Sequence, residues 1–382
     1  MKTEDILFAL LRHAVCAEAL DQKTISSCTP ENLGNVHELA RKHDLAHLVA
    51  YALEDVDISG SEMAAKLKKI KMMAVYRFAK MDFELERICR ILEEAEIPFI
   101  PLKGSVLRCS YPEPWMRTSC DIDVLVKPEN LEKAVLLLEE NGFQRKGKGH
   151  HDVSLYSTSG VHVELHYDLI EEAVSPSVQR ILKDVWNFAV RKSGKEMEFI
   201  LPDAVFYFYH VAHMAKHFVQ GGGCGIRPFL DIWVMDRCAQ EDREGRDTLM
   251  QQGGLSAFAK ASEKLSQCWF ANAPWDDNTL MFADCVIDGG RIGTRENRAA
   301  MHKAVGKEEK IPWNRIVIPY EDLRYSYPIL DKKPWLMPVF QIARWFRLLK
   351  NMIDLLRRKT ETRNVSQESE NEMQKIFQYL KL

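Results

Sequence analysis

Two aspartates separated by one residue open an apolar, β-branched run, DIDVLV, at residues 121–126. This composition and alternation predict a β-strand. Side chains two residues apart on a strand share a face and lie roughly 6.6 Å apart along it, so Asp121 and Asp123 can reach one cation or two neighbouring ones. Because two unpaired carboxylates held this close would repel each other, the pair predicts a site for a divalent metal ion.

A candidate phosphate-binding turn lies upstream, where a short apolar run meets a glycine. Residues 97–102 predict a buried strand that leads into Lys103-Gly104-Ser105 and then into a short helix. Gly104 allows a tight turn and close approach to a ligand, and the free N–H groups of the helix's first turn can bind an anion. This arrangement suits a nucleotide phosphate. Arg117 and Ser119 follow this helix and precede the strand that carries the two aspartates.

A polar face on a third strand is the next candidate. Residues 151–157 and 161–169 alternate between apolar and polar side chains and predict a hairpin around residues 158–160. In the second of these strands the apolar side chains share one face, and the other face carries His162, Glu164, His166 and Asp168. A solvated strand face is one explanation of this pattern, and a functional site is the other.

The order of these motifs resembles a known fold. Gly-Ser, a helix and then Asp-x-Asp on a strand resemble the nucleotidyltransferase fold of the DNA polymerase β superfamily. The longer order PLKG, YP, an arginine and DIDVLV resembles the bacterial subfamily of uncharacterised nucleotidyltransferases, over residues 97–233. The loop at residues 112–117 makes the gap between the two motifs longer than the superfamily usually has. The resemblance implies an α+β fold in which a mixed sheet is flanked by helices.

The resemblance also implies a Mg²⁺-dependent transfer of a nucleoside monophosphate from an NTP to an acceptor, with release of pyrophosphate. Asp121, Asp123 and Glu164 would hold Mg²⁺ (or Mn²⁺), or Glu164 would accept the acceptor's proton. His166 would be an accessory base or an acceptor contact. ATP is the expected nucleotide, and the acceptor is a small molecule or a protein that the sequence does not identify.

The nucleotide-binding residues expected from the resemblance are Lys103, Gly104, Ser105, Arg117 and Ser119. Gly104 and Ser105 would bind the β and γ phosphates, and Lys103 or Arg117 would stabilise the leaving pyrophosphate. Lys103 could equally be a solvated residue at the end of a strand.

Two alternative functions share this fold. A non-catalytic nucleotide-sensing or protein-interaction module would keep the fold without turnover, but the presence of all three acids argues against it. A protein-modifying AMP transferase or an antitoxin-like member would differ only in its acceptor.

The spacing of the apolar residues divides the whole chain into regions, most of them helical. Residues 1–96 predict an N-terminal helical region that begins with a helix capped by Thr3 and ends with a long helix from residue 61. Residues 97–200 form the predicted catalytic core, residues 201–360 a helical C-terminal domain, and residues 361–382 a polar tail with a short terminal helix.

Within the C-terminal domain, three histidines spaced three and four apart line one helix face: His210, His213 and His217. A zinc site is one interpretation, but no cysteine or carboxylate completes the ligand spacing. The resembling subfamily carries similar histidines followed by an arginine and an aspartate. This similarity predicts that the trio, Arg227 and Asp231 form walls of the acceptor pocket.

Composition limits the remaining possibilities. A net charge of −3 over 382 residues gives no global attraction for a long nucleic acid. The nine cysteines form no CxxC pair, the N-terminus carries acids where a signal peptide carries basic residues, and no apolar run approaches roughly 18 residues. We therefore expect a cytoplasmic protein without a spanning segment. Residues 335–359 predict a basic amphipathic helix that packs on the domain or, alternatively, lies on a membrane.

Overall fold

A computed structural model provides the structure of the chain. It describes residues 1–346 and 367–382, apart from residues 55, 59–61, 150, 170–174, 238–241, 291–293, 295–296, 302–318, 321–322, 325–326 and 328.

Helices precede and follow a central group of strands. The elements in chain order are α1 (Thr3–Cys16), α2 (Gln22–Ser27), α3 (Pro30–Lys42), α4 (Ala46–Ala52), α5 (Glu62–Glu94), β1 (Phe99–Pro101), α6 (Gly104–Leu107), β2 (Asp121–Val126), α7 (Leu131–Glu140), β3 (Gln144–Lys148), β4 (Asp152–Tyr156), β5 (His162–His166), α8 (Pro176–Lys183), β6 (Val190–Arg191), β7 (Phe199–Ile200), α9 (Asp203–Gly221), α10 (Arg227–Met235), α11 (Arg243–Gly253), α12 (Ser256–Phe270), α13 (Asp277–Gly289), α14 (Ile329–Lys332) and α15 (Gln367–Leu380).

The main sheet has five strands in the order β1-β2-β5-β4-β3. Strands β2 and β5 are parallel, and the other neighbouring pairs are antiparallel. A short β6–β7 hairpin lies beside β1, where Glu198 bridges to Phe99. The mixed sheet and its flanking helices confirm the predicted fold class.

The two faces of the sheet have different chemistry because β2 and β5 alternate in step. Ile122 and Val124 on β2 and Val163 and Leu165 on β5 are fully buried in a core shared with α7 and the second half of α5. The side chains between them, on the opposite face, are polar. The alternation therefore fixes both the core and the side of the sheet on which a site can form.

The N-terminal and C-terminal helices share a second, larger core. Phe8 of α1 stacks on Trp269 of α12 with ring centroids 4.9 Å apart, and Arg12 donates to the Trp269 carbonyl at 3.0 Å. The regions that precede and follow the sheet in sequence are thus packed against each other. The domain boundaries drawn from the sequence remain a prediction.

Several element predictions need correction. The first helix begins at Thr3 after Lys2, so Thr3 is not its cap. Strand β3 and the β6–β7 hairpin were not predicted, because QRKGK carries no β-branched residue and the hairpin strands have two residues each. The final helix begins at Gln367, within the segment predicted to be a polar connection.

The predicted helix at residues 335–359 is described only in its first part, where residues 337–346 are helical and residues 347–359 lie outside the described chain. Residues 297–301, within the predicted helical C-terminal domain, are also helical. None of the helices in the described part of the chain is both long and apolar enough to cross a membrane.

Candidate active site

The three predicted acids meet on one face of the sheet. Parallel pairing sets Asp121 opposite His162 and Asp123 opposite Glu164, so the side chains that alternate outward from both strands converge. Two overlapping groups of potential metal ligands result, each with its ligand atoms within 4.8 Å of one another. One group contains Asp121, His162 and Glu164, and the other contains Asp123, Glu164 and His166. Glu164 belongs to both groups.

Asp123 is the most buried of the acids and has two cationic partners. Lys103 Nζ lies 2.7 Å from Asp123 Oδ1, and His166 Nε2 lies 2.8 Å from the same oxygen. Burial alone would raise the pKa of Asp123, but Lys103 and His166 outweigh it and hold the pKa below its usual range. Asp123 is therefore a carboxylate at neutral pH.

His166 joins two of the acids. Its Nε2 also lies 3.4 Å from Glu164 Oε2. Burial would lower the pKa of His166, but the hydrogen bonds to Asp123 and Glu164 outweigh burial and raise it. The role of His166 as an accessory base or an acceptor contact remains a prediction.

The negative charge of Asp121 is poorly balanced by the groups around it. Burial and the nearby carboxylates of Asp123 and Glu164 raise its pKa, because an added charge there is poorly solvated and repelled. A bound cation would remove both costs.

The turn before α6 is strained at Lys103. Its φ of 46° and ψ of −122° lie in a region that L side chains rarely adopt, and strain of this kind costs about 1–3 kcal/mol and is concentrated at functional sites. The explanation of Lys103 as a solvated strand-end residue is wrong, since its ammonium bonds Asp123. The strained turn aims the side chain at the acids.

The unusual backbone angles of the turn belong to Lys103 and not to Gly104, since the positive φ is at Lys103. A β-carbon on Gly104 would lie 3.0 Å from Ser119 Cβ and 3.2 Å from Ser119 Oγ. Glycine here permits close packing of the turn on the loop before β2. Ser105 is buried, and its Oγ has no hydrogen-bond partner among the described residues.

Helix α6 does not offer the free amides expected of it. It has four residues, and the amides of Ser105, Val106 and Leu107 donate to the carbonyls of Leu102 and Lys103. The prediction of an anion site at the first turn of this helix is wrong for these three groups. Phosphate binding by Gly104 and Ser105 through other groups remains a prediction.

A cavity of about 370 Å³ separates the acids from helices α9 and α10. Side chains of α9 that line it include Tyr209, His210, His213 and His217, and Arg227 and Asp231 line it from α10. His213 Nε2 and His217 Nε2 lie 2.9 Å apart, and burial followed by nearby cations lowers the pKa of His213 well below its usual value. The histidine trio thus faces the acids, as the pocket-wall prediction requires.

No zinc site at the trio follows from this arrangement. Among the residues that the structure describes, the groups of three or more potential metal ligands are the two on the sheet.

Arg117 and Asp231 are paired with each other. Arg117 Nε and Nη2 donate to the two oxygens of Asp231 at 2.7 and 2.9 Å, and the Tyr111 hydroxyl donates to Asp231 Oδ1 at 2.7 Å. Both side chains border the cavity. The Nε and both Nη groups of the Arg117 guanidinium, however, already donate hydrogen bonds within the protein. The structure therefore gives Arg117 a joining role between the loop before β2 and helix α10. Its contact with pyrophosphate remains a prediction.

Some residues at the site had no predicted role. His162, which lies on the predicted polar face, belongs to a potential ligand group. His151 lines the cavity and stacks on His166 with ring centroids 5.6 Å apart. Tyr209 and Lys216 line the α9 wall with His213. The alternation in β5 placed His162 on the correct face. The helical spacing of residues 209, 213 and 216 could have identified Tyr209 and Lys216.

The residues present fit a divalent metal ion. Carboxylate oxygens are the ligands that Mg²⁺ and Mn²⁺ prefer, and a carboxylate shared by two groups suits two neighbouring ions. The ammonium of Lys103 against Asp123 indicates that positive charge is favoured at this position.

A sequence profile described as an uncharacterised nucleotidyltransferase family matches residues 29–271, more than half of the chain. The chain belongs to this family. No curated protein sequence matches the chain. Membership in the nucleotidyltransferase family agrees with the three acids on β2 and β5, and the matched region also includes α3 to α5, the cavity and α9 to α12.

Proposed function

We propose that this nucleotidyltransferase moves a nucleoside monophosphate from an NTP, with ATP the expected nucleotide, to an acceptor in the cavity and releases pyrophosphate. The observation that supports this proposal is the convergence of Asp121, Asp123 and Glu164 on the cavity floor by strand register. In the reaction an oxygen of the acceptor forms a bond to the α-phosphorus, and the bond from that phosphorus to the bridging oxygen of pyrophosphate breaks.

Asp121, Asp123 and Glu164 would hold Mg²⁺ or Mn²⁺, which would supply charge neutralisation on the triphosphate. The Lys103 ammonium lies 2.7 Å from Asp123 Oδ1 and would contact the phosphates when Asp123 binds metal instead. Its strained backbone limits the directions in which its side chain can point. Gly104 and Ser119 would keep this turn close to the nucleotide.

Glu164 would accept the proton of the acceptor. Its side chain is about a quarter exposed, whereas that of Asp123 is almost fully buried. The Nε2 atom of His166 lies 3.4 Å from Glu164 Oε2. A hydrogen bond from His166 lowers the pKa of Glu164, so Glu164 is a carboxylate that can take a proton only transiently.

The opposite wall would select the acceptor. Tyr209, His213 and His217 stand across the cavity from the acids and offer aromatic surface and ring nitrogens. A cavity of about 370 Å³ is at the lower end of the range for small-molecule sites. The acceptor group that enters it is therefore a small molecule or a single protein side chain.

The direct test uses the four NTPs, each labelled at the α-phosphate, with Mg²⁺ or Mn²⁺ and an extract that contains metabolites and proteins. We expect the label from at least one NTP to appear on an acceptor, and in a parallel reaction the label of that NTP carried at the γ-phosphate should appear in pyrophosphate. Asp123→Asn, which keeps the side chain's size, is the matched control and should transfer none.

Absence of transferred label from every NTP, with intact nucleotide binding, would contradict the transferase proposal. That result would favour the alternative, a non-catalytic nucleotide-sensing or protein-interaction module.

A further inference from the structure

Helix α5 has two apolar faces, and one of them is covered by the other described residues. The buried face carries Leu67, Ala74, Met81 and Ile88, which recur every seven residues and lie in the two cores. The opposite face carries Met72, Tyr76, Ala79 and Phe83, here called the α5 seam. Met72, Tyr76 and Phe83 are 63%, 63% and 61% exposed, and Ala79 is also exposed.

The α5 seam has the geometry of a helix–helix contact. Its residues are spaced four, three and four apart, so at 100° per residue they fall within about 60° of one another. Apolar side chains scattered singly over a surface need no explanation, but three large ones in one line mark an interaction face.

The α5 seam is complementary to itself when two copies run antiparallel. A two-fold axis between Arg77 and Phe78 sets Met72 opposite Phe83 and Tyr76 opposite Ala79. Each large side chain then meets a smaller or more flexible one, as the layers of an antiparallel helix pair require. A parallel pair would set Tyr76 against Tyr76.

The charges of α5 select the same arrangement. Its first half is rich in lysine and its second half is rich in acids, so an antiparallel pair sets unlike halves together. In the same register exposed Lys69 lies opposite exposed Glu86. Lys66 would approach Arg87, but Arg87 is already paired with Glu84 at 2.9 Å. A nucleic acid would match only the basic half.

We propose that two copies of this chain associate through the α5 seam as an antiparallel, two-fold symmetric pair. The association is isologous, so each seam residue contributes twice. This proposal does not depend on the reaction carried out in the cavity.

Sedimentation velocity at increasing concentrations of the full chain tests the proposal. The wild type should pass from monomer to dimer, and Tyr76→Asp should stay monomeric at every concentration. Arg77→Glu, also exposed and on the same helix but outside the seam, is the matched control and should dimerise like the wild type. Circular dichroism would check that each variant remains folded.

A charge exchange tests the register. Lys69→Glu and Glu86→Lys should each raise the dimer dissociation constant by roughly fivefold or more, and the double variant should restore it. A wild type that remains monomeric, a Tyr76→Asp variant that dimerises normally, or a double variant no better than the singles would overturn the proposal.

Discussion

Two polar clusters border the same cavity, and they differ in how their charges are balanced. In the first, Asp231 receives three hydrogen bonds from Arg117 and Tyr111, and both side chains of the ion pair are buried. In the second, here called the acid cluster, Asp121, Asp123 and Glu164 face Lys103 and His166. Negative charge remains in excess there, as the raised pKa of Asp121 indicates.

The contrast separates groups that serve the fold from groups that serve a ligand. A buried ion pair whose donors and acceptors are matched holds two segments together, here across 114 residues of chain. A cluster left with unmatched charge destabilises the protein until something binds to it. Substitutions of equal size in the two clusters should therefore have opposite consequences.

The largest expected effect is on stability in the paired cluster. Asp231→Asn leaves the buried Arg117 without its counter-charge, and breaking such a pair costs about 3–5 kcal/mol. Denaturant unfolding should show this loss. Asp121→Asn is the matched control, because it relieves repulsion and should change the free energy of unfolding by less than about 1 kcal/mol or increase it. Equal losses in both variants would remove the distinction.

A buried histidine makes the free energy of unfolding depend on pH. His43 lies among paired groups: the Ile226 amide donates to its Nδ1 at 3.3 Å, and its Nε2–H donates to the Ile287 carbonyl at 3.1 Å. Burial lowers the pKa of His43 from 6.5 to about 4. Its neutral form is therefore the one that the fold accommodates.

Because the unfolded chain takes up the proton first, this stabilising effect is complete above pH 6.5 and is lost as the pH falls towards 4. The loss is roughly 3 kcal/mol. Unfolding free energies measured at several pH values in that window should fall for the wild type and fall less for His43→Gln. An equal pH dependence in both proteins would show that His43 titrates normally.

In the acid cluster the expected effect is on turnover. Glu164→Gln keeps the size of the side chain and removes the charge, so turnover should drop by at least about two orders of magnitude while NTP binding survives. Steady-state rates together with calorimetric NTP binding would measure both quantities. A Glu164→Gln enzyme that turns over like the wild type would mean that Glu164 is a solvated strand residue.

The smallest effect concerns the strained turn. Lys103→Gly and Lys103→Ala both remove the ammonium from Asp123, but only glycine relieves the backbone at φ 46°. The glycine variant should therefore be more stable than the alanine variant by about 1–2 kcal/mol. Identical stabilities would indicate that the turn relaxes in solution.

The acid cluster could be predicted from the sequence because it depends on local alternation. In DIDVLV and VHVELHYDL the period of two assigns each side chain to a face, and parallel pairing of the two strands then brings the acids together. The position of His213 on one helix face with His210 and His217 could be predicted from helical periodicity in the same way. Such patterns need no knowledge of distant contacts.

The paired cluster could not be predicted in this way. Arg117 and Asp231 are far apart in sequence, and either residue type could have served a phosphate or an acceptor. The conformation of Lys103 was also hidden, because a glycine next to it suggested that Gly104 would take the unusual backbone angles. Long-range pairing and tertiary override of local preference account for both differences.

We propose that the acid cluster binds a divalent cation through Glu164 and both aspartates. Electron paramagnetic resonance can follow Mn²⁺ binding in the presence of a non-hydrolysable NTP analogue. Wild type should bind Mn²⁺, and Asp121→Asn, Asp123→Asn and Glu164→Gln should each weaken that binding by about tenfold or more, which is 1.4 kcal/mol. Asp231→Asn, if it remains folded, should not. Equal Mn²⁺ affinity in the wild type and in all three acid variants would show that the acid cluster is not the metal site.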